Sequence, residues 1–243
     1  MPVWRPLVVL PTFNEIENLP LLLEEIQATV KEVEVLVVDD ASPDGTGTWV
    51  ERQGRPGLHL LARKAKLGLG TAYRAGWHWG LERGFDPIVT MDADFSHHPR
   101  HLPAVLDLVR NGADLGIGSR YVPGGGIRNW PLHRRILSHG ANLLSRFLLR
   151  LPVRDATAGF RAYRARVLQA IEPDSIRAEG YSFLEETLWR VAGCGFRCEE
   201  TPIVFEDRRL GKSKISRAEI FKAAGTLLRL RCSRVPRSHS RPE

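Results

Sequence analysis

The sequence predicts an α/β domain with a mostly parallel central sheet flanked by helices. Short β-branched apolar runs alternate with longer amphipathic ones, several of the apolar runs end abruptly in acids, and 243 residues, 43% of them hydrophobic, are enough to bury one large core. In order, strand-like runs stand at Leu7 to Leu10, Val33 to Val38, Leu58 to Leu61, Ile88 to Met91 and Leu115 to Ile117. Helical patterns lie between them, near Glu17 to Val30, Thr46 to Gln53, Thr71 to Arg83 and His101 to Arg110. Past Arg120 the rhythm changes. A Gly-rich loop, "YVPGGGIRNWP", leads to an amphipathic helix from Leu132 to Leu151 that mixes leucines with Arg134, Arg135, Arg146 and Arg150. Then follow "DATAGFRAYR", a helix near Ala165 to Ile171, "EGYSFLEETLWRVAGCGF", a single strand near Glu200 to Phe205 and a last helix from Arg217 to Leu230. The expected division is one domain over residues 1–231 and a basic, disordered tail over 232–243.

The net charge of +7 is concentrated at the end: from Arg208 to Glu243 there are 11 Lys and Arg against 2 acids, while the rest is near neutral. Such a segment suits nucleic acid, an anionic membrane surface or phosphorylated ligands. Three cysteines, Cys194, Cys198 and Cys232, form neither a disulfide framework nor a zinc quartet, so reduced thiols in a cytosolic protein are expected. No apolar window reaches the ~20 residues that span a bilayer, and no signal sequence is evident.

In a parallel sheet, ligands sit beyond the carboxyl ends of the strands. That rule lines up Pro11 to Glu15, Asp39 and Asp40, Asp92 to Asp94, and Ser119 and Arg120 along one rim. A turn is the plain reading of a single Asp pair; two acidic strand ends facing one crevice ask for more. A glycosidase needs carboxyls ~5 to 9.5 Å apart across a sugar. Asp92 and Asp94, two residues apart, converge on one point more readily. Mg²⁺ or Mn²⁺ shared with a diphosphate suits them, since hard cations accept one or two protein carboxylates plus phosphate oxygens. Asp40 could take a ribose or base, and Arg120, Arg208 and Lys214 could take phosphate. Gly68-Leu69-Gly70 lacks the third glycine of a dinucleotide fingerprint and reads as a helix-start turn. His97 and His98 fit a turn before Pro99 as well as contact with the metal or its ligands.

The ordered set "PTFNE", "VVDDASPDGT", "KLGLGTAYRAG", "MDADFSHHP", "GSRYVPGG", "RNWP", "DATAGFRAYR", "GYSF" and "RRLGKSK" strongly resembles the polyprenol (dolichol) phosphate mannose synthases, family 2 glycosyltransferases with the Rossmann-like GT-A fold. The resemblance implies inverting transfer of mannose from GDP-mannose to a polyprenyl (dolichyl) monophosphate, with Mg²⁺ or Mn²⁺ as cofactor. It implies that Pro11, Phe13, Glu15, Val38 and Asp40 hold the guanosine. Asp92, Ala93 and Asp94 would meet metal and diphosphate, and Arg120, Arg208 and Lys214 the phosphates. Asp94, Arg120 and Arg208 would then carry the catalysis. The metal set is Asp92, Asp94 and Ser96, where some members have Gln in place of Ser96, and Leu184 departs from the family's "FQ".

Location at the cytoplasmic face of a membrane follows, peripheral on an anionic surface, and the lack of a span leaves room for a separate anchoring protein. The rival within the class is glucose transfer from UDP-glucose. From another class comes a nucleic-acid-binding protein with a degenerate core, disfavoured because the basic tail lacks aromatics for base stacking.

Overall fold

A computed structural model describes residues 4–180, 182–207 and 217–233. Its centre is a seven-stranded sheet in the order β3-β2-β1-β4-β7-β5-β8. These strands are β1 Leu7–Thr12, β2 Glu34–Asp39, β3 Leu58–Ala62, β4 Ile88–Thr90, β5 Leu115–Ser119, β7 Arg161–Tyr163 and β8 Cys198–Pro202. Helices α1 Leu19–Thr29, α2 Thr46–Gln53, α3 Leu69–Glu82 and α4 Leu102–Arg110 connect the first five strands, as the alternating pattern predicts.

All neighbours pair in parallel except β7, which runs antiparallel between β4 and β5. The inner strands are buried on both faces, as parallel strands require, while the edge strands β3 and β8 are half-buried. In β1, Leu7 and Val9 enter the cluster with Tyr73 and Trp77 of α3, whereas Val8 and Leu10 enter the other with Leu22 and Ile26 of α1. Each fully buried side chain of this kind stabilises by about 1.5–3 kcal/mol.

Strand β7 was not foreseen. Its three residues lie inside "DATAGFRAYR", and a run so short carries no periodicity. The single strand expected from Glu200 to Phe205 is corrected to two: β8 closes the main sheet, and β9 Val204–Phe205 leaves it to pair with β6 Gly126–Ile127 in the Gly-rich loop. Pro202, which has no N–H to continue a ladder, ends the first. The small second sheet carries the chain into α5 Leu132–Leu149, with the Trp130 ring edge-on to Phe205 and the Arg134 guanidinium 3.9 Å from the Trp130 ring centre. Arg150 adopts a left-handed conformation that stops α5 two residues short of the expected end.

Helices α6 Ala165–Ala170, α7 Ser182–Gly193 and α8 Arg217–Cys232 complete the fold. Helix α8 ends at Cys232, two residues beyond its expected end at Leu230, and residues 234–243 lie outside the described ones.

Candidate active site

The carboxyl ends of β1, β2, β4 and β5 open on one rim, as anticipated, and the loops that leave them are held in conformations ordinary residues avoid. Asn14, Ala41 and Phe95 all have positive φ, at 62°, 55° and 64°. Left-handed backbone at a non-glycine residue costs on the order of 1–3 kcal/mol and persists where surroundings dictate it. Phe95 separates Asp94 from Ser96, so the acidic turn is built, not merely tolerated.

The acids at the two strand ends differ in what surrounds them. Asp39 is structural. It accepts from Thr12 Oγ1 at 2.9 Å and from the Ser42 amide at 3.0 Å, locking β1 to the loop after β2. Asp40 is held by the Arg63 guanidinium and by the Leu67 and Gly68 amides at 3.1 and 3.2 Å, so it fixes the turn into α3. Gly68 is the N-cap of that helix, in agreement with the helix-start turn.

Asp92 is about one-third exposed at its side chain and accepts from the Tyr73 hydroxyl at 3.0 Å. Asp94 accepts from the Ser96 amide at 3.0 Å, and the Ser96 Oγ is buried without a hydrogen-bond partner. Two carboxylates and an orphaned hydroxyl make a set of hard oxygen donors, which fits Mg²⁺ or Mn²⁺ and not a soft or imidazole-preferring ion.

The two histidines divide the expected roles between them. His98 is the N-cap of a short 3₁₀ turn, Pro99–His101, accepting from the Arg100 amide, while His97 is buried beside Asp92. Burial lowers the His97 pKa, against the pull of Asp92 and Asp94, so the ring is neutral. Its Nδ1 accepts from the Asp92 amide at 3.1 Å, which outweighs the 3.7 Å approach to the Asp92 carboxylate as its main contact. Burial and the adjacent Asp92 push the Tyr73 phenol well above its usual range, leaving it a hydrogen-bond donor.

Arg120 reaches this cluster, and the charges of both Asp92 and Asp155 act on it. Its guanidinium is nevertheless committed within the protein: Nε and Nη2 donate to the two Asp155 oxygens at 2.8 and 2.7 Å, and Nη2 also to Thr157 Oγ1 at 2.6 Å. The phosphate contact expected at Arg120 would therefore come from a guanidinium already paired with Asp155 at the rim. Asp155 and Thr157 were missed as site residues. The signal was present in "DATAGF", but only the fold shows that it abuts β5.

Among the nucleoside candidates, Pro11 and Val38 are register partners across β1 and β2. Phe13 lies under the Lys66 ammonium at 3.8 Å from the ring centre, Glu15 accepts from Asn18 Nδ2 at 2.8 Å, and Ala93 is buried between the two acids. Arg208 and Lys214 lie outside the described residues.

Beyond Arg120 an open cleft of 520 Å³ runs along α5, lined by Arg120, Tyr121, Ile127, Arg135, Ile136, His139 and Gly140. Helix α5 turns polar residues inward. Asn142 Oδ1 accepts from the Ala156 amide at 2.8 Å, and Ser145 Oγ donates to Glu185, whose carboxyl is raised by burial. Outward it shows Leu132, Ile136, Leu143, Leu144 and Phe147, the first and last 72% and 79% exposed. No helix among the described residues is long and apolar enough to cross a membrane.

Residues 7–172 match the family described as glycosyl transferase family 2. The polyprenol monophosphomannose synthase of Mycolicibacterium smegmatis is 48% identical over 91% of this chain and 85% of its own. The undecaprenyl-phosphate mannosyltransferase of Micrococcus luteus is 52% identical over 87% of this chain and 88% of its own. Among solved structures, glucosyl-3-phosphoglycerate synthase from Mycobacterium tuberculosis, in complex with Mn²⁺, UDP and product, superposes with a TM-score of 0.67 at 21% identity, covering 94% of this chain and 80% of that one. A mannosyltransferase from Pyrobaculum calidifontis, with GDP-mannose and Mn²⁺, gives 0.59 at 20% identity, covering 93% and 62%. At such identities these two speak for the fold.

Proposed function

Because this chain belongs to glycosyl transferase family 2, we propose that it moves mannose from GDP-mannose to a polyprenyl monophosphate with inversion at the sugar carbon. It is a glycosyltransferase, and both curated relatives, each covered over more than four-fifths of its length, are polyprenyl-phosphate mannose-transferring enzymes by name. The observation that carries the chemistry is the end of β4: Asp92, Asp94 and the orphaned Ser96 hydroxyl, all oxygen donors, beside the Arg120–Asp155 pair.

A prenyl phosphate has a second pKa near ~6, so at neutral pH it is already anionic and needs no general base. The protein's tasks are orientation and charge. Asp92 and Asp94 would hold a divalent cation, which would supply positive charge for the leaving diphosphate. Arg120, fixed by Asp155, keeps positive charge at the acceptor side of the acids, and Arg208 and Lys214 add phosphate contacts on sequence grounds. Pro11, Phe13, Glu15, Val38 and Asp40 line the nucleoside end, where Asp40 acts by shaping the α3 turn.

The acceptor's lipid explains the outward face of α5. Leu132, Ile136, Leu143 and Phe147 recur at helical spacing, and Arg135, Arg146 and Arg150 stand near them, a pattern suited to the boundary between anionic headgroups and acyl chains. The cleft of Tyr121, Ile127 and Ile136 leads from that face to Arg120. A cytoplasmic-face location and a separate anchoring protein are consistent with this reading.

The test is a transfer assay with purified protein, a prenyl phosphate and labelled GDP-mannose, GDP-glucose, UDP-glucose and UDP-galactose, each with Mg²⁺ and Mn²⁺. Mannosyl lipid from GDP-mannose alone is the expected outcome. Preferential glucosyl lipid from UDP-glucose would replace the donor assignment and leave the lipid phosphate in place.

A further inference from the structure

Asp92 and Asp94 follow the same strand, yet their side chains are aimed by different means. Asp94 is set by its own turn, through the Ser96 amide at 3.0 Å. Asp92 is set from elsewhere. The Tyr73 hydroxyl, on α3, reaches its Oδ1 at 3.0 Å, and the His97 ring takes its amide proton at 3.1 Å.

Both supporting rings are themselves fixed. Tyr73 is fully buried in an aromatic stack with Trp77 and Phe183, ring centres 6.4 Å away in each case and planes within 19°. His97 lies against Phe160 at 5.4 Å with its edge to Phe205 at 5.5 Å. Gly159 lets it in: a Cβ there would stand 3.2 Å from His97 Cε1 and 3.9 Å from Asp92 Oδ1.

A phenol is a neutral donor. Unlike the guanidinium on Asp40 or on Asp155, it can fix a carboxylate's rotamer without cancelling the charge a cation requires, and it occupies a lone pair on one oxygen only. We propose that Tyr73 and His97 are positioning residues that hold the side chain and the backbone of Asp92 ready for a divalent cation. This rests on the metal-dependent reading of the site. Neither residue touches substrate in this role; each acts through Asp92.

The aromatic stack gives the arrangement a second property. Phe183, the last residue of "GYSF", lies in the first turn of α7, so the orientation of Asp92 is tied through Tyr73 to α7, the helix whose Glu185 meets Ser145 of α5. The donor-side acid and the acceptor-side helix thus share a rigid connection.

The experiment is direct Mn²⁺ binding to the full chain with GDP, followed by electron paramagnetic resonance, on the wild type, Tyr73→Phe, Tyr163→Phe and Asp92→Asn. Tyr163 is a buried phenol of the same cluster that contacts Trp77 and Arg161 but not Asp92, and it controls for the loss of a hydroxyl from the core. Partners of this kind are worth about 10- to 100-fold in metal affinity. Tyr73→Phe is expected to weaken Mn²⁺ about 10-fold or more, raising the Mn²⁺ needed for half-maximal transfer more than it lowers kcat at saturating metal. Tyr163→Phe should bind Mn²⁺ as the wild type does.

Undiminished Mn²⁺ binding by Tyr73→Phe, with Asp92→Asn deficient, overturns the role of Tyr73 and spares the metal site. Undiminished binding by Asp92→Asn overturns the metal reading and this inference with it. If Tyr73→Phe does not fold, the comparison moves to His97: His97→Asn, whose amide oxygen can accept from the Asp92 amide, should retain more affinity than His97→Leu. Equal affinities in that pair overturn the proposal.

Discussion

Along β1 the inward side chains are apolar and fully buried and the polar groups begin at the strand's end; along α5 the polar Asn142 and Ser145 are turned into the protein beside Leu149, while Leu132, Ile136, Leu143 and Phe147 are turned out. The sheet obeys the rule for a body surrounded by water. Helix α5 obeys the same rule only if part of its surroundings is not water, since an amphipathic helix places its apolar face against whatever is least polar. The donor half of the molecule is shaped by its own core. In the proposed function the acceptor half answers to a membrane surface, and between the two halves stand Asp155 and Arg120.

The largest effect should come from the donor rim. Asp94→Asn removes one negative charge from a turn whose shape depends on a carboxylate oxygen that Asn can still imitate, so the fold should persist. Transfer should fall on the order of 10²-fold or more, the scale typical of losing an electrostatic contact to developing charge. Circular dichroism and a transfer assay on the same preparation check it. Undiminished transfer by this variant in EDTA would remove the acid pair from the chemistry and erase the distinction between rim and core.

Next comes the junction. Asp155 is fully buried, and replacing it with Ala leaves Arg120 charged and uncompensated, a change that costs about 3–5 kcal/mol. Burial works to raise the Asp155 carboxyl, and the charge and hydrogen bonds of Arg120 more than reverse it, so its folded pKa is lowered. The stability it contributes is therefore fully present above its unfolded value of about 4, and is lost as pH falls below that value and through the lowered folded one. Urea melts of the wild type should show this acid-side loss, and Asp155→Asn should lack that share of it. Identical pH slopes for the two would mean the pair contributes nothing to stability.

The third prediction probes the donor core. Gly76 packs α3 against β1 so closely that a Cβ would overlap the Val9 side chain. Gly76→Ala should destabilise by about 1–3 kcal/mol through overpacking, despite the better helix propensity of Ala. A stability equal to the wild type would mean that α3 can shift, and that the aromatic stack reaching Asp92 is less rigid than drawn.

Most of the sheet was legible because its signals are local. Apolar runs of three to six residues pointed to β1, β2, β3, β4 and β5 and the rim they share, and helix α2 begins and ends where its pattern says. Strand β7 was not legible, since three residues wedged antiparallel between β4 and β5 owe their state to neighbours far away in sequence. The metal acids could be picked out by position at a strand end. Their supports could not: nothing in a linear pattern says that Tyr73 points at Asp92 or that Asp155 consumes Arg120, because both contacts join elements 19 and 35 residues apart. Charge alone does not show that an Arg after a strand already has an acidic partner.

The smallest effect on stability should come from the outward face of α5, and this contrast separates the two regions most sharply. Leu144 and Phe147 are 47% and 79% exposed, so changing both to Ser removes little buried surface, and the chain should keep its stability within roughly ±0.5 kcal/mol per site. Their loss should be felt only when a membrane is present. Each Lys or Arg near an anionic leaflet contributes about 1 kcal/mol, a share that salt screens, while leucine and phenylalanine side chains entering the acyl boundary contribute a share that salt leaves intact. Wild-type protein should therefore bind liposomes containing phosphatidylglycerol at low salt and retain part of that binding at high salt. The double Ser variant should lose mainly the salt-resistant part, and its use of a long prenyl phosphate in liposomes should fall more than its use of a short, water-soluble one. If the variant instead lost several kcal/mol of stability, the outward residues would be packed against something within the protein or a second copy of it. If it kept wild-type liposome binding at every salt concentration, this outward face would have to answer to a protein partner, and the acceptor would reach Arg120 without α5 touching lipid.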